Sequence, residues 1–387
     1  MIVNDEKKNL IFPGFIFIRG VLFMFFFQLC LFFTFITFAP ANPAPAPLPY
    51  FMPSAAGGFD ESTIAVLIDR KKYLSQFVLN GAVMICRTQA GEKINGALVS
   101  FINKEKKAAF TFAGEVKIIP AADGGYELIN YLRVKDYIAC VLISELADGD
   151  CQTWQALAVL IRTMVYKEIM DRSCDSAEAR HPRASNFLIC ARTHCASYRG
   201  VLSKELYLNA RKAAQGVCDI ILTHAGRPVY SLYSSACGGK IVRAQTIYHF
   251  LSGCQYFEDK ICRCPAGRPA WKNIYHARGL STLLGYSVRD IETTANPYYV
   301  VINNKIRYSF DEFISRIEKS GLARIKSPFF EVSKTDNGGF FIINGVGLGH
   351  CAGLCIQGAR AMSKEGADFK KILNYYYKSC NLKSVDL

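Results

Sequence analysis

The sequence predicts an α+β fold, and two features of its hydrophobic pattern indicate this class. Between residues 62 and 120, short runs rich in β-branched and aromatic residues alternate with Gly, Asn and Lys turns, as is typical of strands. After residue 150, apolar residues recur at helical spacing over about residues 152–170, around 204–215 and again near 369–376. No internal repeat is visible, which excludes solenoids and propellers.

Two finer elements follow from local residue chemistry. Asp148 and Asp150 precede the helix predicted at residues 152–170, and we expect them to cap its free N–H groups; Asp368 precedes the last helix in the same way. Residues 218–235 contain two apolar stretches joined by a His-Ala-Gly-Arg turn, which predicts a hairpin. Residues 126–146, YELINYLRVKDYIACVLISEL, are predicted as a strand-rich run that ends near a single carboxylate.

The N-terminal segment has the pattern of an export signal. Residues 20–38 form an apolar run without a charge, which follows Lys7, Lys8 and Arg19 and precedes small residues. Its length also suits an uncleaved membrane anchor. The sequence therefore predicts an exported protein with a signal peptide or membrane anchor at residues 1–39, either of which fits. A Pro/Ala-rich extended linker follows at residues 40–61.

Charge and cysteine content narrow the classes of partner. The formal net charge is +14. On an exported protein this charge favours an anionic polymer or a membrane surface over nucleic acid, although it can also serve solubility. Fourteen of the fifteen cysteines lie outside the apolar run. An oxidising compartment permits disulfides, whereas neighbouring histidines favour a metal, so both interpretations stay open.

Six segments in order carry a family resemblance. They are residues 126–146 given above, AVLIRT at 158–163, His181-Pro182, CARTHCASYRG at 190–200, YSSACGG at 233–239 and GVGLGHCAGLCIQGARAMSKEG at 345–366. Together they resemble the SpoIID/LytB family of peptidoglycan lytic transglycosylases, over about residues 126–379. The resemblance implies a SpoIID-like catalytic domain at residues 121–387, with a central helix after the catalytic Glu. The strands of residues 62–120 are expected to form a small N-terminal β-rich lobe.

Glu145 is the candidate catalytic residue. Cleavage of a glycosidic bond needs a proton for the leaving oxygen. The resemblance implies that the 6-hydroxyl of the sugar attacks, so one Glu acts first as acid and then as base and leaves a 1,6-anhydro end. Apolar flanks would raise the pKa of Glu145, and a following helix N-terminus would lower it, so the sequence leaves the direction open. A capping or surface role for Glu145 is the alternative.

Further site residues are implied by the same resemblance. Arg162 aligns with the Arg-Thr pair of the family and is expected to bind substrate or orient Glu145, with a purely structural salt bridge as an equal alternative. Gly345, Gly347 and Gly349 alternate, which predicts a strand with one face cleared for a polymer or a neighbouring strand. The remaining predicted substrate-binding residues are Tyr233, Ser234, Ser235, Gly347, Gly349 and His350.

A zinc site is expected in the CARTHCASYRG segment. The resemblance implies His181, Cys190 and Cys195 as ligands, with His194, a water or a substrate group as the fourth, in a structural Zn²⁺ site. A Cys190–Cys195 disulfide is the alternative. Cys262 and Cys264 are too close in sequence to chelate one metal well and receive no assignment. No organic cofactor is expected.

The expected function is cleavage of glycan strands, preferably strands stripped of their stem peptides, in sporulation, division or wall remodelling. The expected partners are glycan strands and, through the N-terminal segment, a membrane; nucleic acid is not among them. Two other functions are weighed. One is a non-catalytic wall-binding or amidase-modulating protein, which would not need Glu145. The other is a Cys-His hydrolase that uses Cys195 or Cys351 with His194 or His350.

Overall fold

The computed structural model describes one compact body within Pro49–Leu387. The described residues are 51–52, 58–71, 87–88, 96–103, 106–121, 124–174, 176, 179–182, 185–192, 194–265, 269–294, 298–335 and 339–385. The predicted signal or anchor, most of the linker and part of the strand-rich region predicted between residues 62 and 120 therefore lie outside the described residues. Within the described ranges, no helix combines the length and the apolar character that a membrane span requires.

Eight α-helices and two short 3₁₀ helices, at Phe59–Glu61 and His249–Leu251, occur in the described part of the chain. The α-helices are α1 Val134–Glu145, α2 Cys151–Ser173, α3 Lys204–Gln215, α4 Ala244–Ile247, α5 Ala277–Leu284, α6 Phe310–Lys319, α7 Ile356–Lys364 and α8 Phe369–Tyr376.

The strands are short and mostly antiparallel. They are β1 Phe51–Met52, β2 Thr63–Lys71, β3 Arg87–Thr88, β4 Gly96–Asn103, β5 Lys106–Ala113, β6 Glu115–Pro120, β7 Tyr126–Arg133, β8 Ile189–Cys190, β9 Ile220–His224, β10 Arg227–Pro228, β11 Tyr233–Ser234, β12 Lys240–Ile241, β13 Lys260–Ile261, β14 Ala270–His276, β15 Ile291–Thr293, β16 Tyr299–Ile302, β17 Ile306–Ser309, β18 Phe329–Lys334, β19 Phe340–Val346, β20 Leu354–Cys355 and β21 Asn381–Ser384.

The main sheet has the strand order β1-β2-β7-β6, and β8 adds to β2 in parallel. Helices α1, α2 and α3 share one hydrophobic core with this sheet. With its helices, its mixed sheets and no closed barrel among the described strands, the molecule confirms the predicted α+β class.

Within the described part of residues 62–120 the predicted strands form, and two of them join a sheet with a strand that follows residue 120. Strands β2 and β6 both pair with β7, which lies beyond the predicted boundary at residue 120. A buried strand needs partners on both edges for its backbone N–H and C=O groups, and β7 obtains them from β2 and β6. Strands β2 and β6 thus share a sheet with the first strand of the predicted catalytic domain.

A second hydrophobic core lies in the C-terminal half of the chain. Its buried residues fall between Val242 and Ile343 and include Trp271, Phe313 and Phe341. The sheets β14-β19-β18 and β15-β16-β17 and helices α5 and α6 surround it. The smaller lobe of this protein is therefore inserted after residue 240, a position that the sequence pattern did not reveal.

Residues 126–146 form one strand followed directly by α1, where the sequence predicted a strand-rich run. Ten of the twelve residues of α1 are buried, so its sequence is apolar on nearly every side. Apolar runs of this kind do not distinguish a buried helix from a buried strand, which explains the difference.

The predicted caps and hairpin are largely confirmed. The Asp150 carboxylate accepts the Thr153 N–H at 2.9 Å at the start of α2, and Asp368 accepts the Lys371 N–H at 2.8 Å at the start of α8. Strands β9 and β10 form the predicted hairpin. Asp148 does not cap a helix: its side chain is 74% exposed and pairs with Arg360 at 2.9 Å.

Candidate active site

Glu145 is the last residue of α1, and its carboxylate is held by two donors. Its Oε1 accepts the Ser197 N–H at 2.9 Å and the Tyr233 hydroxyl at 3.3 Å. The donors come from the CARTHCASYRG segment and from β11, which are distant from Glu145 in sequence. Two segments that are distant in sequence thus hold Glu145 in a partly buried position.

The electrostatic environment of Glu145 favours its neutral form. Burial raises the pKa of the Glu145 carboxyl, and this effect exceeds the lowering by the Ser197 N–H, the Tyr233 hydroxyl and the charge of Arg199. Glu145 also lies at the C-terminal end of α1, where the helix dipole disfavours negative charge. The N-terminus of α2, which was expected to lower the pKa of Glu145, is instead capped by the Asp150 carboxylate. The pKa of Glu145 is therefore raised, which the sequence had left open.

His350 faces the residue that follows Tyr233. Its Nδ1 accepts the Ala352 N–H at 3.1 Å and lies 3.3 Å from the Ser234 Oγ. The Ser234 hydroxyl in turn accepts the Cys351 N–H at 2.9 Å. Burial lowers the pKa of His350 to about 4, so the imidazole is neutral at neutral pH.

Strands β11 and β20 pair in parallel, and β11 contacts both Glu145 and His350. Tyr233 contacts Glu145, and its neighbour Ser234 contacts His350. Because adjacent Cα atoms lie about 3.8 Å apart, one short strand links the carboxylate to the glycine-rich segment. Ser235 extends this strand, and its carbonyl accepts the Gln357 N–H at 3.2 Å.

The alternating glycines do not lie on one strand as expected. Only Gly345 belongs to β19, where a Cβ would lie 2.3 Å from the Trp271 ring. Gly347 and Gly349 have φ values of +93° and +104°, in the left-handed region that favours glycine. A Cβ on Gly349 would also lie 3.1 Å from the Ser234 Cβ. These glycines let the loop turn closely over β11.

Arg162 requires a correction, because its position does not allow substrate contact. Its side chain is 0% exposed, and its guanidinium donates two hydrogen bonds of 2.6 Å to the Asp60 carboxylate. The Ile220 carbonyl accepts a further bond at 3.2 Å. Arg162 therefore joins the 3₁₀ helix before β2 to α2 and β9, which is the structural alternative that the sequence left open.

The four predicted zinc ligands converge. His181 Nε2 lies 3.2 Å from Cys195 Sγ, His194 Nε2 lies 3.4 Å from Cys190 Sγ, and the two sulfurs are 3.8 Å apart. One ligand atom from each residue lies within 4.8 Å of every other. A hydrogen bond with Cys195 lowers the pKa of the Cys190 thiol to about 7. This Cys₂His₂ cluster has the donor set and compactness of a tetrahedral zinc site.

The cluster is tied to the carboxylate through the chain that follows it. Cys195 lies two residues before Ser197, whose N–H binds Glu145. On the other side, the buried Glu168 accepts the Arg180 N–H at 2.9 Å and the His181 N–H at 3.3 Å and so fixes the approach of His181. The loop that carries the Cys₂His₂ cluster therefore also positions Glu145.

Sequence reasoning missed Ser197 and Arg199 as partners of Glu145. Ser197 acts through its backbone N–H, which no side-chain pattern reveals. Arg199 acts on Glu145 by its charge alone, among the causes that shift the pKa of that carboxyl. Both residues lie in the CARTHCASYRG segment, and their place in this segment was the available signal.

A separate cavity of about 790 Å³ lies in the second lobe. Aromatic side chains line much of it, including Trp271, Tyr298 and Phe330. Gly345 and Val346, which lead into the glycine-rich loop, form part of its wall. The cavity therefore adjoins the loop that carries His350.

Comparison with known proteins relates the chain to a sporulation family. An uncharacterized protein of Brachyspira hyodysenteriae (strain ATCC 49526 / WA1) is 26% identical over 334 residues, which cover 80% of this chain and 85% of that protein. The family model SpoIID, described as Stage II sporulation protein, matches residues 122–224, a segment that contains Glu145 and the Cys₂His₂ cluster. Residues 122–224 thus match the SpoIID family, as the resemblance predicted, and relate this part of the chain to sporulation and cell-wall proteins.

Proposed function

We propose that the protein is a lytic transglycosylase that cleaves the glycan strands of peptidoglycan, with Glu145 as the catalytic acid and base. The observation that supports this most is a partly buried carboxyl with a raised pKa in the SpoIID-matched segment. The Ser197 N–H holds it from the same segment, and the Tyr233 hydroxyl holds it from beyond that segment. A raised pKa favours the protonated form of the carboxyl, which is the form that a general acid requires.

The proposed reaction needs one carboxyl group. Protonated Glu145 gives its proton to the leaving glycosidic oxygen as the C1–O bond breaks. The Glu145 carboxylate then takes the proton of the sugar 6-hydroxyl as that oxygen bonds to C1, so a 1,6-anhydro end forms without water and the acid is regenerated. Both hydrogen bonds to Glu145 reach Oε1, and we therefore assign proton transfer to Oε2.

The segment opposite Glu145 suits a neutral carbohydrate. The neutral His350 imidazole, next to Gly347 and Gly349 in the same loop, offers hydrogen-bonding groups without charge. We propose that these residues, with Ser234 and Ser235, contact the glycan, and that the positive net charge attracts the anionic wall.

The activity is tested by incubating the full-length protein with intact peptidoglycan and with glycan strands stripped of stem peptides. Mass spectrometry of the products should find 1,6-anhydromuramyl ends, in greater yield from the stripped strands. Reducing ends in their place would identify a hydrolase. Binding to the wall without any cleavage would instead identify the non-catalytic class.

The pH dependence of cleavage should respond to Tyr233. The Tyr233 hydroxyl stabilises the Glu145 carboxylate and lowers the pKa of this group, so Tyr233→Phe should raise that pKa further. Since the acid form is lost as pH rises through this pKa, the alkaline limb of the kcat/KM profile should move to higher pH. An alkaline limb that stays in place, or moves to lower pH, would contradict the assignment of Glu145 as the acid.

We further propose that His181, Cys190, His194 and Cys195 hold a structural Zn²⁺. Two sulfur and two imidazole donors match a closed tetrahedral site. When bound, the ion would neutralise the two thiolates and fix the loop. The residues of this loop then keep the Ser197 N–H directed at Glu145.

Removal of this zinc should lower cleavage although Glu145 is untouched. Cys190→Ser/Cys195→Ser should lose one zinc per chain by elemental analysis and lose most of its activity, because thiolate ligation couples the metal to local folding. Cys218→Ser, which changes an exposed cysteine, is the control and should keep both. An unchanged zinc content, or a mapped Cys190–Cys195 disulfide, would contradict the proposal.

We also propose that the protein is exported. Residues 1–39 then act either as a membrane anchor or as a signal peptide that is removed. The support is the charge-free apolar run at residues 20–38 after basic residues. Cell fractionation should recover the full-length protein from membranes or from the exported pool, and recovery from the cytosol would refute this localisation.

A further inference from the structure

A second cluster of four cysteines lies beyond the SpoIID-matched segment. Cys237, Cys262, Cys264 and Cys355 are all buried, and their sulfur atoms lie within 4.8 Å of one another. Cys237 Sγ and Cys264 Sγ are 3.3 Å apart. These residues come from three separate parts of the chain, the turn after β11, the segment that includes β13, and the start of α7.

The size of the cluster fits one metal ion. Zinc binds thiolate sulfur at about 2.3 Å, so the sulfurs of a tetrahedral site are separated by about 3.8 Å. Four sulfurs that all lie within 4.8 Å of each other can reach this geometry by small side-chain rotations. Cys262 and Cys264 are only two residues apart and would occupy two corners of the tetrahedron. Cys237 and Cys355, from distant segments, would occupy the other two.

Two sulfurs receive hydrogen bonds from backbone N–H groups of neighbouring segments. Cys355 Sγ accepts the Cys237 N–H at 3.3 Å and the Gly358 N–H at 3.4 Å. Cys264 Sγ accepts the Gly239 N–H at 3.2 Å. N–H donors directed at sulfur stabilise the thiolate, which is the form that binds metal.

The third sulfur is held in the same way, and the packing around it leaves no room. Cys262 Sγ accepts the Cys264 N–H at 3.5 Å and lies 3.4 Å from the Tyr376 hydroxyl. A Cβ on Gly358 would lie 2.4 Å from Cys262 Sγ, so only glycine allows α7 to approach the cluster this closely. The cluster is closed on this side, as structural zinc sites are.

We propose that Cys237, Cys262, Cys264 and Cys355 bind a structural Zn²⁺ as four thiolates, in addition to the Cys₂His₂ site. Four thiolates in a buried space repel one another, and a divalent cation offsets this repulsion. Soft sulfur donors in a closed tetrahedral arrangement select zinc. Two disulfides are the competing state of the same residues, and this state would need an oxidant to accept the electrons of four thiols.

The proposed zinc stabilises the β11–β20 strand pair, which carries the Tyr233 that binds Glu145. Cys237 follows Ser234 by three residues, and Cys355 is the last residue of β20, which pairs with β11. The ion therefore fastens both strands of this pair to the segment of Cys262 and Cys264. It contributes no open coordination position and so no chemistry of its own.

The test is the zinc content of the full-length protein purified without chelator. The wild type should contain two zinc ions per chain, and Cys262→Ser/Cys264→Ser should contain one. Zinc X-ray absorption of Cys190→Ser/Cys195→Ser, in which only the second site remains, should report four sulfur ligands. Cys254→Ser, which changes a half-buried cysteine outside both clusters, is the matched control and should retain two ions.

If a variant fails to fold, zinc X-ray absorption and zinc content of the wild type still test the four-thiolate site. The average zinc environment of the wild type should contain three sulfurs and one nitrogen when both sites are filled. An environment of two sulfurs and two nitrogens with one zinc per chain would overturn the proposal. So would iron in place of zinc, or a disulfide mapped among the four cysteines of protein kept under native conditions.

Discussion

Glu145→Gln is expected to abolish glycan-strand cleavage and to leave the fold intact. The amide oxygen of Gln can still accept the Ser197 N–H and the Tyr233 hydroxyl, so the hydrogen bonds of the site survive. The amide has no transferable proton, and general acid–base catalysis typically contributes about 10²- to 10⁴-fold to the rate. The yield of 1,6-anhydromuramyl ends should fall by at least the lower of these factors, with an unchanged circular dichroism spectrum and melting temperature.

Asp148→Asn is the matched control for this experiment. Asp148 is an exposed carboxylate three residues from Glu145 and pairs with Arg360 at the surface. Its loss should leave the cleavage rate within a few-fold of the wild type. Cleavage by Glu145→Gln at a rate comparable to this control would sink the assignment of Glu145 and favour the non-catalytic or Cys-His alternatives.

Sequence patterns predicted best those elements that local chemistry determines. The caps at Asp150 and Asp368 and the turn that joins β9 to β10 depend on neighbouring residues, and the structure confirms them. The predicted hairpin is shorter than expected, because β11 in its second stretch pairs with β20. The course of α1 was not predicted, because a helix buried on every side loses its 3.6-residue period. The lobe inserted after residue 240 was missed for a different reason, since it depends on long-range strand pairing such as that of β14 with β19.

The same distinction between local and long-range contacts separates the two cysteine clusters. The Cys₂His₂ cluster was predictable because three of its ligands lie within six residues. The four-cysteine cluster was not, because Cys237 and Cys355 reach Cys262 and Cys264 only through the parallel pairing of β11 and β20 and the turns next to it. Short spacing between two cysteines argues against a metal only when no other segment supplies the remaining ligands.

Arg162 shows that alignment with a family motif does not by itself establish the role of a residue. An arginine on the helix that follows the candidate catalytic Glu145 is a natural candidate for substrate binding, but α2 directs this side chain into the core. There it meets Asp60, a residue that lies 102 positions earlier and that no local pattern associates with it. The partner of a buried charge is set by the tertiary fold, and the sequence could offer the salt bridge only as an alternative.

Arg162→Met is therefore expected to destabilise the protein strongly. The substitution removes the partner of the Asp60 carboxylate, which is only 8% exposed, and leaves a buried charge without its ion pair. Breaking a buried pair in this way typically costs about 3–5 kcal/mol of unfolding free energy. Thermal and denaturant unfolding of the variant should report a loss of this size, whereas a substrate-binding arginine would raise KM at unchanged stability.

Two further variants distinguish the effect of breaking the buried Arg162–Asp60 pair from the effect of losing any positive charge. Arg360→Met removes the cation of the exposed pair with Asp148, and surface pairs contribute about 0–1 kcal/mol, so its unfolding free energy should stay close to that of the wild type. Arg162→Met/Asp60→Asn removes both buried charges and should recover part of the stability that the single substitution loses, because no uncompensated carboxylate remains. Equal losses in Arg162→Met and Arg360→Met, or an Arg162→Met protein that is stable but defective in glycan binding, would return Arg162 to the substrate site.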